Sequence, residues 1–130
     1  MGDRAYIEIT SEFSQSSLVF YGHWSGETNL AAVREVLERT DRIGDASYLA
    51  AQIFYEFAIK LGGYDGGLGF GISAITPDDG YYDWADNPVV YVNADNGNYS
   101  VGGDEWVNRW GMPVLGKNST HTYDPAEHAE

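Results

Sequence analysis

The stretch "LVFYGHWSGETNLAAVREVLER", residues 18–39, decides the fold class. It opens on "LVFYGH", β-branched and aromatic residues that favour a strand. Ser25-Gly26 then interrupts the pattern. From there Leu30, Val33 and Leu37 recur at helical spacing, with Val36 beside them. Thr28 or Asn29 offers a side-chain oxygen to the first free backbone N–H groups, as an N-cap does. Arg34, Glu35, Glu38 and Arg39 fall largely off the apolar stripe and are expected to face solvent. A strand that hands directly to an amphipathic helix predicts a mixed fold, with the helix laid back on a sheet.

Working outward, "AYIEIT" (5–10) sets Ala5, Ile7 and Ile9 against Tyr6, Glu8 and Thr10. That alternation predicts a strand with one wet face, paired antiparallel with 18–23. Residues 41–63 predict a second helix, capped by Asp45 or Ser47 and stopped at Gly62-Gly63. Its apolar residues are Leu49, Ile53 and Phe57, widened by Ala50, Phe54, Ala58 and Leu61; Gln52, Glu56 and Lys60 are the strongly polar ones, four apart. It is therefore expected to be the most buried element. Strands are predicted within 64–76, 89–95 and 98–103, with Asn96-Gly97 as a two-residue hairpin turn, and 104–110 as one helical turn. The order ββααβββ predicts a single α+β domain over 1–116. Two helices pack on one face of a mainly antiparallel sheet of about five strands. Residues 117–130 read as a polar tail.

A chain of 130 residues, 43% hydrophobic and 15% aromatic, is long enough for a real core. It has no cysteine, which excludes disulfides, thiolate catalysis and thiolate zinc sites. The first residues lack the apolar run of a signal peptide and the Ser or Thr of a myristoylation site, and no stretch approaches a membrane span. The cytoplasm is the expected location. "NYS" at Asn98 and "NST" at Asn118 match the glycosylation pattern, which matters only in a secreted chain.

The formal charge is −13, from 20 acidic and 7 basic residues. Such a field repels nucleic acid and anionic membranes and attracts basic partners. Lysine occurs only at Lys60 and Lys117.

"GDRAYIEI", "LVFYGHWSG", "YLAAQIFYEF" and "GFGIS", in that order, resemble small uncharacterised proteins carried by phages and bacteria. Those proteins begin Gly-Asp-Arg and carry a His-Trp-Gly-Gly loop. Gly2, Asp3, Arg4, His23, Trp24 and Gly26 match here, while Ser25 replaces the first loop glycine. The resemblance covers about residues 2–101. It implies a phage or mobile-element origin, and it assigns no activity and no site residue.

Several motifs invite a chemical reading. His23 and Trp24 form a possible functional loop, because His titrates near neutrality and an indole makes a stacking wall. No second metal ligand accompanies His23, and Ser25 is one residue out of nucleophile-elbow register. A strand-to-helix corner is the plainer reading. The glycines at 62, 63, 66, 67, 69 and 71 follow a helix and enter a strand, the reverse of a phosphate loop. They read as a helix stop and a close backbone approach. Asp78, Asp79, Asp83 and Asp86, with Asp95, Asp104 and Glu105, miss the calcium-loop register. No metal and no cofactor are expected.

Tyr81, Tyr82 and Trp84 stand among those aspartates. Rings supply contact area and carboxylates select a basic partner, so Asp78, Asp79, Tyr81, Tyr82, Asp83, Trp84 and Asp86 form the candidate partner-binding surface. Trp106 and Trp110 read as core anchors or a second patch. The expected function is a non-enzymatic phage or prophage accessory protein. It would bind a basic host protein and inhibit a defence or nucleic-acid-handling complex. A small hydrolase or nucleotide-binding protein using His23 with nearby carboxylates is the first alternative, and a structural virion protein the second.

Overall fold

The computed structural model describes residues 5–12, 18–22, 28–61, 70–73 and 87–119. The alternation of "AYIEIT" becomes strand β1 (Ala5–Thr10), with Ala5, Ile7 and Ile9 buried. β2 (Leu18–Gly22) runs antiparallel to it and sets Phe20 opposite Ile7. Helices α1 (Thr28–Arg39) and α2 (Ala46–Lys60) follow. Then come β3 (Phe70–Ser73), β4 (Val90–Asn93), β5 (Tyr99–Val101), β6 (Trp106–Val107) and β7 (Pro113–Val114).

The class is α+β with two helices, as the patterning predicts. The sheet differs from the five-strand expectation. It has seven strands in the order β3-β2-β1-β4-β5-β6-β7. It is mixed, because β1 and β4 pair in parallel, Ile7 with Val90 and Ile9 with Val92. One extra strand, β6, lies in 104–110, the segment expected to be a helical turn; the other, β7, lies beyond it, in a stretch whose sequence shows no strand pattern. Trp106 and Val107 pair with β5 on one side and β7 on the other. Strands of two residues lie below the length at which a period shows in sequence.

Paired residues share a face, so the register puts Ile7, Ile9, Phe20, Val90, Val92 and Tyr99 on one side. Val33, Leu37, Leu49, Ile53 and Phe57 of the helices join them in one buried cluster. Each fully buried side chain of this kind contributes about 1.5–3 kcal/mol.

Asn29 joins α1 to the parallel pair. Its side-chain Nδ2 donates to Tyr6 O of β1 at 3.1 Å and to Pro88 O at the entry to β4 at 3.2 Å. Those carbonyls come from chain segments far apart in sequence, and one buried amide fixes both.

Asn96-Gly97 does turn the β4–β5 hairpin, but the loop has four residues, not two. Asn93 N donates to Asn98 O and Gly97 N donates to Asn93 O, both at 2.8 Å. Gly97 has φ +82, and a Cβ there would stand 2.9 Å from Ile43 Cδ1. The extra length lets the turn's asparagines hold the chain's later segment. Asn93 Nδ2 donates to Lys117 O at 2.9 Å, and Asn98 Nδ2 to Ser119 O at 2.7 Å. Residues 117–119, the start of the expected tail, are thereby tied to the turn. Asn98 is 2% exposed, so its glycosylation pattern is sterically closed.

Among the described residues, no helix is long and apolar enough to cross a membrane.

Candidate functional site at the outer face of the second helix

α2 is turned in a way its sequence does not announce. Gln52, Glu56 and Lys60 face α1 and are used there. Thr40 Oγ1 donates to Gln52 Oε1 at 2.5 Å, and Arg39 Nη2 donates to Glu56 Oε1 at 2.5 Å. Lys60 Nζ pairs with Glu35. Arg39 also stands 3.9 Å from Glu35, one turn earlier on α1. The hydrogen bond from Lys60 holds the Glu35 carboxyl below its ordinary value of 4.5; desolvation opposes this, and the charges of Lys60 and Arg39 add to the lowering.

With the polar row spent on α1 and Leu49, Ile53 and Phe57 on the sheet, the remaining stripe meets solvent. It consists of Tyr48, Ala51, Tyr55 and Ile59. Tyr48 is 57% exposed, Tyr55 65% and Ile59 50%. The expectation that α2 is the most buried element therefore fails on this side. Arg42 lies over the Tyr48 ring, 4.4 Å from its centroid, and leaves Tyr55 and Ile59 open.

An apolar cleft of about 740 Å³ runs beside this stripe, between α2 and the β1–β2–β3 side of the sheet. Its helix wall is Ala46, Ala50, Ala51, Phe54 and Ala58; its sheet wall includes Ile9, Leu18, Phe20 and Ile72. The cause is side-chain size. Alanines reach too little to fill the gap between a helix and a sheet. Phe54 reaches into it, its ring 5.0 Å from that of Phe20. Further along, the gap closes: a Cβ on Gly22 of β2 would stand 2.8 Å from Leu61 Cδ1 and 3.1 Å from Phe57 Cζ. Thr10 and Ser11 border the opposite end. There Asp95 accepts from Ser11 Oγ at 2.7 Å and from Glu12 N at 2.8 Å. Asp45 precedes Ala46 at the same helix end. Glu12, Asp45 and Asp95 thus adjoin lining residues at this end, while the lining itself carries no charged side chain.

A second apolar feature lies at the β6–β7 turn. Trp110 is 66% exposed there, with Met112 beside it in the turn also open. Arg109 pins this turn to the end of α1, donating from Nε to Leu37 O at 2.8 Å and from Nη2 to Thr40 O. Trp106 instead lies half-buried on the sheet face away from the helices, in register with Ser100. The two tryptophans thus share neither helix nor face, because 104–110 is not helical. On that same sheet face, Tyr91 is paired in register with Glu8. Burial pushes its hydroxyl above the ordinary value of 10, and the Glu8 charge adds to this.

Asp78, Asp79, Tyr81, Tyr82, Asp83, Trp84 and Asp86 lie outside the described residues, as do His23 and Trp24. Of the glycine cluster, Gly71 is described: a Cβ there would stand 2.6 Å from Tyr21 Oη, the close approach its sequence predicts. Among the described residues no three His, Cys, Asp or Glu side chains are grouped to hold a metal ion. The α2 face was missed in sequence because Gln52, Glu56 and Lys60 are its only strongly polar residues, so the helix reads as buried all round. The signal was present in Tyr48, Tyr55 and Ile59, apolar residues that fall outside the Leu49–Ile53–Phe57 row.

Comparison with family models, with curated proteins and with solved structures gives no match.

Proposed function

We propose that this chain is a non-enzymatic binding protein of phage or prophage origin. It engages a host protein with a basic surface and thereby inhibits a defence or nucleic-acid-handling complex. The observation that carries the binding reading is the outer face of α2. A helix that turns its polar row inward and its tyrosines outward leaves apolar area that an isolated soluble chain gains nothing by exposing.

The sign of the partner follows from where the cations go. Arg39, Arg42 and Lys60 face carboxylates of the same chain. Arg34 donates to Tyr99 Oη at 3.2 Å, and Arg109 is spent on backbone carbonyls. With 20 acidic and 7 basic residues in the chain, these cations leave a large negative excess. The segment Asp78–Asp86, with Tyr81, Tyr82 and Trp84, adds rings and charge of the same kind and belongs to the proposed surface. The phage origin rests on the Gly-Asp-Arg and His-Trp motifs.

The test is capture from host lysate at low and high salt, followed by the same capture with Tyr82→Ala/Trp84→Ala and with Tyr55→Ser/Ile59→Ser. A partner whose capture falls with salt and with either double substitution supports the reading. Capture of nothing, or of proteins indifferent to salt and to both substitutions, overturns it.

A further inference from the structure

We infer that the cleft beside α2 takes an amphipathic helix of the partner protein, laid apolar face down, with Lys or Arg at the end that meets Ser11. This rests on the protein-binding reading above and names the chemistry of what binds.

Shape selects a helix. The α2 residues that line the cleft run from Ala46 to Ala58, a helix wall about 18 Å long. Ala46, Ala50, Ala51 and Ala58 keep that wall low, which allows a second helix to lie close alongside. The floor offers Leu18, Phe20 and Ile72 to apolar side chains at i, i+3 and i+4 spacing. The α2 wall bonds its own backbone internally and offers no edge to an added strand.

Charge selects the flank. Asp95 accepts from Ser11 Oγ on one oxygen and from Glu12 N on the other. Arg42 stands 3.7 Å from Asp45 and offsets it in part. Neither Glu12 nor Asp95 has a Lys or Arg partner among the described residues. A second copy of this chain would bring another −13 and a like-charged rim to the same mouth. A basic helix brings the complement.

The experiment titrates the full chain into three labelled peptides by fluorescence anisotropy. The first is an amphipathic helix with a leucine face and a lysine flank. The second keeps the leucine face with a glutamate flank, and the third scrambles the first. The lysine peptide is expected to bind at least about tenfold tighter than either of the others, with an affinity that falls with salt. Ala51→Trp, which fills the cleft from an exposed position, is expected to weaken it about tenfold, and Tyr55→Ser to weaken it as well. Glu12→Gln is expected to reduce the salt dependence and leave apolar docking in place.

Equal binding of the scrambled peptide overturns the inference. So does unchanged affinity in both Ala51→Trp and Tyr55→Ser, two variants that guard against misfolding of either one. A dimer in sedimentation that Tyr55→Ser dissociates assigns the face to a second copy and also overturns it. Salt-sensitive capture of a lysate partner that survives both substitutions sinks this inference and leaves the binding reading standing.

Discussion

α1 and α2 lie side by side, and they solve the problem of having two faces in opposite ways. α1 buries Ala32, Val33, Val36 and Leu37, leaves Arg34 and Glu38 exposed on its far side, and gives Glu35 and Arg39 to the seam with α2. α2 buries Leu49, Ala50, Ile53 and Phe57, turns its polar row sideways onto α1, and leaves tyrosines and an isoleucine in water. The first arrangement needs nothing beyond this chain. The second leaves Tyr48, Tyr55 and Ile59 open, and the proposed partner would cover them. The difference teaches that a helix's polar residues do not mark its solvent side when a neighbouring helix offers them partners. Here Thr40, Arg39 and Glu35 of the α1 side supply those partners.

The largest test of the contrast sets Phe57 against Tyr55, two positions apart on α2. Phe57→Ala is expected to cost about 3–5 kcal/mol in urea unfolding, because Phe57 is fully buried among Ile53, Leu61 and the sheet. Tyr55→Ala is expected to stay within about 0.5 kcal/mol of the parent. Similar losses at both positions would mean that the outer stripe is core, and the contrast would collapse.

Asn29→Ala asks how firmly α1 is seated. It leaves Tyr6 O and Pro88 O without their donor in a buried site, and a loss of about 1–3 kcal/mol is expected. A change near zero would show that water replaces the amide. Gly97→Ala should cost about 1 kcal/mol or more, since it forces a side chain into φ +82 and toward Ile43, which packs between the helices and the β4–β5 turn. Wild-type stability in the alanine variant would mean that the loop relaxes.

The smallest effect sharpens the comparison at the seam between the helices. Glu35 has a lowered folded value. Its contribution is therefore present above the ordinary 4.5 and fades as pH falls through the lowered value. The stability gap between the parent and Glu35→Gln is expected to be open at neutral pH and to close in acid. The pair is exposed, so the gap is small. A gap that persists unchanged in strong acid would show that the seam is held by packing alone.

Much of the fold was legible. Ile7 and Ile9 alternate with wet neighbours, Leu30 to Leu37 recur at helical spacing, and Asn96-Gly97 marks a turn. Each signal is local and spans a whole element. What was not legible depends on pairing at a distance. The parallel contact of β1 with β4 leaves no mark in either strand, since Val90 and Val92 alternate as they would in an antiparallel sheet. β6 and β7 are too short to show a period. At the candidate site the tyrosines of α2 were visible, but their outward direction was hidden by Gln52, Glu56 and Lys60. The aromatic segment from Asp78 to Asp86 was read from composition, which locates rings and charges without saying what they touch.

The four-residue turn between β4 and β5 bears on the order in which the chain folds. It touches the end of β1 through Asp95 and Ser11, the helix connection through Gly44 N and Ala94 O, and the later segment through Asn93 and Asn98. The Asp95–Ser11 tie spans 84 residues, whereas α1 and α2 find each other across a short connection. Local contacts close early and distant ones late, so this junction should be the last part to lock. Asn98→Ala is then expected to speed unfolding in stopped-flow measurements while leaving the folding rate nearly unchanged. If so, the turn is a latch that sets how long the folded molecule lasts, with little influence on how fast that state is reached.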